Sequence, residues 1–315
     1  MAHKPLPART SDYMHLHAIV LIWGFTAIAG VLIHIPAMEL VLIRTFLATI
    51  ITALWLRIEK KSFALPRHEA IPLLLAGTLT SMHWLTFFIA ARISNVSTCL
   101  VGLATCSLWT SLLAPLIEKR KFRITELLFG LVVASGLYIV FRSEMERSAG
   151  LLVGILSAIF AAVFSLLNGR FINKHPSRII SVWEMAGSTI FSIVSFVVWL
   201  LFFYTPESQA KAGLHFLPDW QDWGLILFLA GVCTVYAFAA AVELMKRFTV
   251  FAMNLTINLE PVYGIALAFL FFGESERMSP DFYVGTLIIL LSVLGFPLAE
   301  SISRKWRQRQ VPELR

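Results

Sequence analysis

Hydrophobic residues along this chain fall into ten long runs separated by short, charged connections. Each run is about as long as the helix of roughly 20 apolar residues that crosses a bilayer. The weakest is 150–170, because it contains Ser157, Ser165 and Asn168. The pattern predicts an all-α membrane protein with ten transmembrane helices, over residues 16–35, 38–56, 70–90, 95–117, 124–141, 150–170, 179–203, 223–243, 249–272 and 282–299.

Composition and charge support a membrane location. Hydrophobic residues make up 58% of the chain and charged residues 14%, with a net charge of +7. Most cations lie on one side of the predicted membrane, in the connections around Lys4 and Arg9, Arg57–Arg67, Lys119–Arg123, Arg170–Arg178, Lys246–Arg247 and the tail. The opposite side carries Arg92, Arg142, Arg147, Lys211 and Arg277.

Cytoplasmic loops are enriched in Lys and Arg, so this asymmetry predicts a multi-pass protein of the cell (plasma or inner) membrane with both termini in the cytoplasm. The basic tail, residues 300–315, is expected to contact membrane lipids, and no nucleic-acid partner is expected. The sequence contains no P-loop, HExxH, GxSxG or Rossmann motif. It therefore predicts neither a cofactor nor a metal, and it disfavours an ATP-driven pump.

The second half of the chain repeats features of the first in the same order. Because each half has five runs, an odd number, the second half must enter the membrane in the opposite sense. This predicts two inverted-topology five-helix repeats, at 16–142 and 150–299, an architecture typical of secondary transporters. The matching positions are Pro36 and Arg44 with Pro176 and Glu184, Gly77 with Gly231, and Glu118 and Gly130 with Glu274 and Gly285.

Three segments resemble a known family. LEPVYGIALAFLFFGE (Leu259–Glu274), followed by Gly285 in the next run, resembles the end of an EamA-type repeat of the drug/metabolite transporter superfamily. HWLTFFIAARISNVST (His83–Thr98) and the run that contains Arg44 resemble the corresponding segments of the first repeat. The resemblance covers nearly the whole chain. It implies a ten-helix bundle with a central cavity and the export or exchange of small metabolites, often amino acids. The first half departs from the pattern, since Ala114-Pro115 stands late in its run while Glu260-Pro261 is central.

Ionisable groups inside membrane spans are costly and mark functional sites or paired charges. Arg44 is a candidate to hold a substrate carboxylate, and Glu184 a candidate to take up a proton. The alternative is that they pair with each other or with backbone groups. Glu260 precedes Pro261, which removes a backbone N–H and disturbs the helix, as in transporter binding sites. Its alternative role is to contact a neighbouring helix.

The remaining candidates are polar or aromatic. Asn254 and Asn258 share one helix face and either line the site or join helices through hydrogen bonds. His83 either relays protons or makes an interhelical hydrogen bond. The aromatic residues are expected to wall a cavity for an apolar or aromatic solute. The predicted substrate-binding set is Trp23, Arg44, His83, Trp84, Glu184, Tyr236, Asn254, Asn258, Glu260 and Tyr263.

These features predict a secondary transporter that moves a small organic metabolite by alternating access, with an amino acid or a related solute as cargo and protons as a possible coupling partner. A membrane-embedded enzyme acting on a lipid-like substrate is the alternative, but it needs catalytic residues clustered at one membrane face. A channel would need pore rings from an oligomer.

Overall fold

The structure is a computed structural model that describes residues 6–143, 145–207, 215 and 217–310. Within these ranges every regular element is helical and no strand is found. Apolar segments adopt this form because a helix satisfies its own backbone hydrogen bonds where water is absent. The prediction of an all-α protein is confirmed.

The first half, as far as the structure describes it, contains seven α-helices and ends before a short 3₁₀ turn at Met145–Arg147. They are α1 (Thr10–Gly24), α2 (Thr26–Leu32), α3 (Ala37–Ile58), α4 (Arg67–Ile93), α5 (Val96–Leu103), α6 (Cys106–Ile117) and α7 (Ile124–Ser143).

The second half contains the remaining α-helices of the described chain, with a π-helical segment at Leu229–Tyr236 and a 3₁₀ turn at Gly273–Glu276. They are α8 (Ser148–Phe171), α9 (Ser177–Phe202), α10 (Trp220–Phe228), α11 (Ala237–Leu244), α12 (Val250–Ile257), α13 (Glu260–Phe272) and α14 (Pro280–Gln310).

Among the described residues, eight helical segments are long and apolar enough to cross a membrane. Two shorter apolar stretches, Ile124–Gly136 and Pro280–Phe296, fall on the fifth and tenth predicted runs, so the count of ten spans stays a prediction. Helix α14 continues to Gln310, which extends helical structure past the predicted end of the last span. The last five residues of the predicted tail, and Lys211, lie outside the described residues.

Several spans are interrupted along their length. The first breaks at Phe25, the fourth between α5 and α6, and the ninth between Ile257 and Glu260. The eighth changes from α to π geometry at Leu229 and back at Ala237. Irregular backbone at membrane depth is tolerated where it is buried in protein or lines a cavity. These interruptions therefore point to the interior of the bundle.

Glycines let helices α4 and α9 approach closely. A Cβ on Gly77 would collide with the backbone carbonyl of Glu184, and one on Gly187 would collide with that of Leu74. By contrast, a Cβ on Gly231 would meet nothing within 4 Å. The matched glycines of the two halves therefore differ in role: only Gly77 permits a close crossing.

Charged side chains at the helix ends pair with one another. At the end where α1 begins and α3 ends, here called the basic end, Arg178 pairs with Glu59 and Arg247 with Asp12 at 3.4 Å. Lys61 also contacts Glu59 at 2.7 Å. Hydrogen bonds from Lys61 and then Arg178 lower the pKa of Glu59 to about 2. These contacts tie the end of α3 to the start of α9.

Candidate functional site

A cavity lies between the two halves of the chain, here called the central cavity. Its volume is about 80 Å³, counted as the space open to the centre of a water molecule. One part of its wall is aromatic and consists of Trp23, Trp84, Phe87, Phe164 and Phe238. Its polar groups come from Thr26, Arg44, His83, Ser165, Asn168, Asn254 and Glu260.

Arg44 is the largest charged side chain of the cavity and is 1% exposed. Its Nε donates a hydrogen bond of 2.8 Å to Thr234 Oγ1, which donates in turn to the Leu229 carbonyl. The guanidinium carbon lies 4.0 Å from the centre of the Trp84 ring, a cation–π contact. Nη1 has no hydrogen-bond partner among the described residues, so it remains available to an acceptor.

Glu260 lines the same cavity and opens α13, where the helix dipole favours a negative charge. It is 4% exposed. The two side chains interact electrostatically, yet neither an ion pair nor a hydrogen bond joins them in the described structure. They come from opposite halves of the chain, so the cavity presents a cation and a carboxylate from its two sides.

His83 is held by the neighbouring helix. Its Nδ1 lies 2.8 Å from Ser157 Oγ and 3.1 Å from the Ser157 carbonyl. The ring also contacts Phe87 and Phe164, with centroids 6.0 Å and 5.5 Å away. The interhelical hydrogen bond expected as one alternative is therefore present, although the side chain also lines the central cavity.

Both asparagines of the ninth span bind α6. Asn254 Nδ2 donates to Thr110 Oγ1 at 2.8 Å, and Asn258 Nδ2 donates to Ser107 Oγ at 2.7 Å. Asn254 also lines the central cavity, whereas Asn258 does not. Helix joining, the second of the two alternatives for these residues, is thus observed for both.

The structure brings together six of the ten predicted site residues around the central cavity: Trp23, Arg44, His83, Trp84, Asn254 and Glu260. Asn258 and Tyr263 lie outside its lining. Tyr236 points into a separate groove at the basic end, where its hydroxyl lies 3.0 Å from His15 Nε2. Its neighbour Phe238 takes the cavity position instead.

Glu184 is fully buried beside the cavity and does not line it. Within the described part of the chain it pairs with neither Arg44 nor a backbone group. Its Oε2 accepts a hydrogen bond of 3.2 Å from Asn168 Nδ2. The alternative in which Arg44 and Glu184 pair with each other is therefore wrong, because Arg44 binds Thr234 while Glu184 binds the Asn168 amide.

Sequence reasoning missed several groups of this site. Thr26 lines the cavity and Thr234 holds Arg44, but hydroxyls are common in membrane helices and carry little signal by themselves. Asn168 was noted only as a weakness of its span. A side-chain amide within a membrane span needs a hydrogen-bond partner, so the sequence alone was sufficient to make Asn168 a candidate.

The fold and the cavity define a helical membrane protein that encloses a small polar and aromatic site between two halves of one chain. The model of the EamA-like transporter family matches residues 13–142 and 148–296. This chain belongs to the EamA-like transporter family. It is therefore a multi-pass membrane protein of a family of small-solute transporters, and the resemblance read from the sequence is confirmed.

Comparison with solved structures agrees on the fold. A crystal structure of a protein 15% identical to this chain superposes with a TM-score of 0.68, over 93% of this chain and 99% of that chain. At that identity the likeness shows the fold alone. No curated protein matches the sequence. The family consists of transporters, which favours transport over the enzyme alternative.

Proposed function

We propose that this protein is a secondary transporter that moves an amino acid with a large apolar side chain, or a close relative, across the cell membrane. Transport proceeds by alternating access, as export or exchange. The ten spans form two inverted-topology repeats with both termini in the cytoplasm. The observation that carries the proposal is the placement of Arg44 and Glu260 at one cavity without an ion pair between them.

Charge complementarity supports a zwitterionic solute. A carboxylate can accept a hydrogen bond from Arg44 Nη1, which has no partner in the described structure. An ammonium group can pair with Glu260, which has no ion-pair partner among the described residues and interacts with Arg44 without direct contact. Buried charges are stabilised when each has a close partner, so a zwitterion satisfies both sides at once.

The aromatic wall supports an apolar or aromatic side chain on the solute. Trp84 and Phe238 lie with ring centroids 6.2 Å apart, and Phe238 and Phe164 lie 6.1 Å apart. Such rings bury large apolar area and favour edge or offset contacts. The small volume of the cavity favours a solute of amino-acid size over a lipid.

The interrupted spans support alternating access. The break at Ile257–Glu260 and the π-helical segment at Leu229–Tyr236 both border the central cavity through Glu260 and the Thr234–Arg44 contact. Discontinuous helices typically form the substrate sites of secondary transporters, around which one repeat moves against the other during alternating access. Helix breaks absorb changes in backbone dihedral angles more readily than continuous helices do. We therefore expect the break at Ile257–Glu260 and the π-helical segment to be the hinges of the transport cycle.

Counterflow into proteoliposomes tests the proposal. Vesicles preloaded with one unlabelled solute should take up labelled amino acids with apolar side chains, whereas sugars and acidic amino acids should not enter. The variant Arg44→Gln should abolish this exchange while remaining folded. Purified protein that exchanges no amino acid, or an Arg44→Gln variant that exchanges normally, would contradict the proposal.

A further inference from the structure

Glu184 on α9 and Asn168 on α8 form a buried pair, and neither side chain reaches the surface. Asn168 Nδ2 donates to Glu184 Oε2 at 3.2 Å. The other two oxygens of the pair, Glu184 Oε1 and Asn168 Oδ1, have no hydrogen-bond partner in the described part of the chain. A carboxylate and a primary amide joined at one edge therefore leave two acceptors unsatisfied.

A single proton gives both of these oxygens a hydrogen-bond partner. If Glu184 Oε1 carries a proton, it becomes a donor and can bind Asn168 Oδ1, while Oε2 continues to accept from Nδ2. The result is the cyclic pair of a carboxylic acid with an amide, in which every polar atom has a partner. The ionised form instead buries a charge with a single neutral donor, which is costly at membrane depth.

Among the described residues, no cation pairs with Glu184, whose hydrogen-bond partner is the Asn168 amide. From α4, the residue facing Glu184 is Gly77, whose Cα lies against the Glu184 backbone. Of the titratable groups on the packed helices, Arg44 on α3 and His83 on α4 line the central cavity. Glu39 and Arg57 lie near the two ends of α3, and Arg92 lies near the end of α4. Other charged groups lie at the basic end and pair there. His175 and Glu69 are 3.8 Å apart, and Arg178 binds Glu59. Glu243 on α11 binds Lys246 there.

Asn168 connects the pair to the central cavity. Asn168 and Ser165, one turn earlier on α8, both line the cavity, whereas Glu184 lies behind Asn168. Water in the cavity can therefore exchange a proton with Glu184 across the amide edge. Arg44 and Glu260, the side chains proposed to bind the solute, lie on other helices. The proton and the solute therefore bind different side chains around one cavity.

We propose that the Glu184–Asn168 pair is the proton-binding site of the transport cycle. This inference rests on the transport activity proposed above and adds its coupling ion. A hydronium ion in the cavity gives a proton to Glu184 Oε1 and becomes water, which converts the carboxylate to a neutral acid that donates to Asn168 Oδ1. Release of the proton to water on the other side restores the carboxylate. The solute is carried in the same cycle, so a pH gradient drives its accumulation.

Transport under an imposed gradient separates this site from the solute site. The membrane potential is clamped at zero with potassium and valinomycin, and the vesicles carry a gradient of about one pH unit. One coupled proton then limits accumulation of a zwitterion to about tenfold. Glu184→Gln mimics the neutral acid, since its amide can donate to Oδ1 and accept from Nδ2. It should keep solute exchange and lose gradient-driven accumulation, with the internal to external ratio falling to about one.

Two further variants serve as controls. Glu184→Asp retains a titratable carboxyl and should retain accumulation at a lower rate. Glu39→Gln removes another buried carboxylate, which has an unpartnered Oε2 but does not line the central cavity, and should leave accumulation unchanged. Accumulation by Glu184→Gln equal to that of the unmodified protein overturns the inference. Failure of the unmodified protein to exchange any solute overturns the proposed function instead.

Infrared difference spectroscopy detects the proton without any transport. Raising the pH should remove the carbonyl band of a protonated carboxyl from the unmodified protein, and the difference spectrum of Glu184→Gln should lack that component. A matching band in both spectra, or a Glu184 carboxyl that does not titrate, overturns the inference even if transport has not been observed.

Discussion

Arg44 is held in the central cavity by Thr234, through a hydrogen bond of 2.8 Å from Nε to Oγ1. The residues belong to opposite halves of the chain, and Thr234 lies in the π-helical segment Leu229–Tyr236. The Thr234 hydroxyl donates to the Leu229 carbonyl five residues earlier, the spacing of a π-helix. The irregular backbone of one half therefore positions the charge supplied by the other.

Thr234→Val should weaken solute binding. The substitution keeps the shape of the side chain but leaves Arg44 Nε without its acceptor, and hydrogen bonds to charged groups contribute about 1.5–3 kcal/mol. The KM for the exchanged solute should rise about tenfold or more, with less effect on the maximal rate. Thr256→Val is the control, because the Thr256 hydroxyl binds the Ala252 carbonyl of its own helix. Equal KM values for both variants would count against this role of Thr234.

Gly77→Ala should destabilise the protein. The new Cβ would collide with the Glu184 backbone carbonyl, and forced overpacking costs about 1–3 kcal/mol. Gly231→Ala is the matched control from the other half, since nothing lies within 4 Å of its added methyl group. Melting of the detergent-purified variants should show a lower transition for Gly77→Ala alone. A similar loss in both would mean that the close crossing is not the cause.

Glu59 should stabilise the protein in a pH-dependent way. Its pKa falls from 4.5 to about 2, chiefly through the hydrogen bond from Lys61 and then that from Arg178. A lowered folded-state pKa adds stability above pH 4.5 that is lost as the pH falls towards about 2. Glu59→Gln should therefore melt below the unmodified protein near neutrality, and the gap should close on acidification. A gap that widens in acid would contradict this sign.

Reporter fusions should place the basic end in the cytoplasm. A reporter after Glu59 or Arg123 should give a cytoplasmic signal, and one inserted within 206–219 should give an external signal. The reason is the excess of Lys and Arg at the first two positions. A cytoplasmic signal from 206–219 would overturn the predicted inverted repeat and the predicted span count together.

The helices and the buried charges could be predicted from the sequence because hydrophobic runs and intramembrane ionisable groups are local signals. Tyr236 and Phe238 show what such local signals do not predict. Two residues apart on a helix, they face different directions, and only packing decides that Phe238 enters the central cavity while Tyr236 binds His15. The π-helical segment changes the directions of these side chains further, and the hydropathy pattern does not predict it.

The partners of the buried groups were also beyond the sequence. Glu184 is bound by Asn168, which lies only sixteen residues before it, because α8 and α9 are consecutive helices joined by a short connection. Arg44 is bound by Thr234, which is 190 residues away. A short connection makes the first contact plausible from the chain alone, whereas the second depends on how the two halves dock.

Binding of matched solute analogues to purified protein is the most direct test of the central cavity as a zwitterion site. Phenylalanine, phenethylamine and 3-phenylpropionate share one ring and differ only in the carboxylate and the ammonium group. The protein should bind phenylalanine most tightly, and Arg44→Gln should remove its advantage over phenethylamine. Glu260→Gln should remove its advantage over 3-phenylpropionate. Equal binding of all three compounds by the unmodified protein would contradict the assignment of Arg44 and Glu260 to the solute.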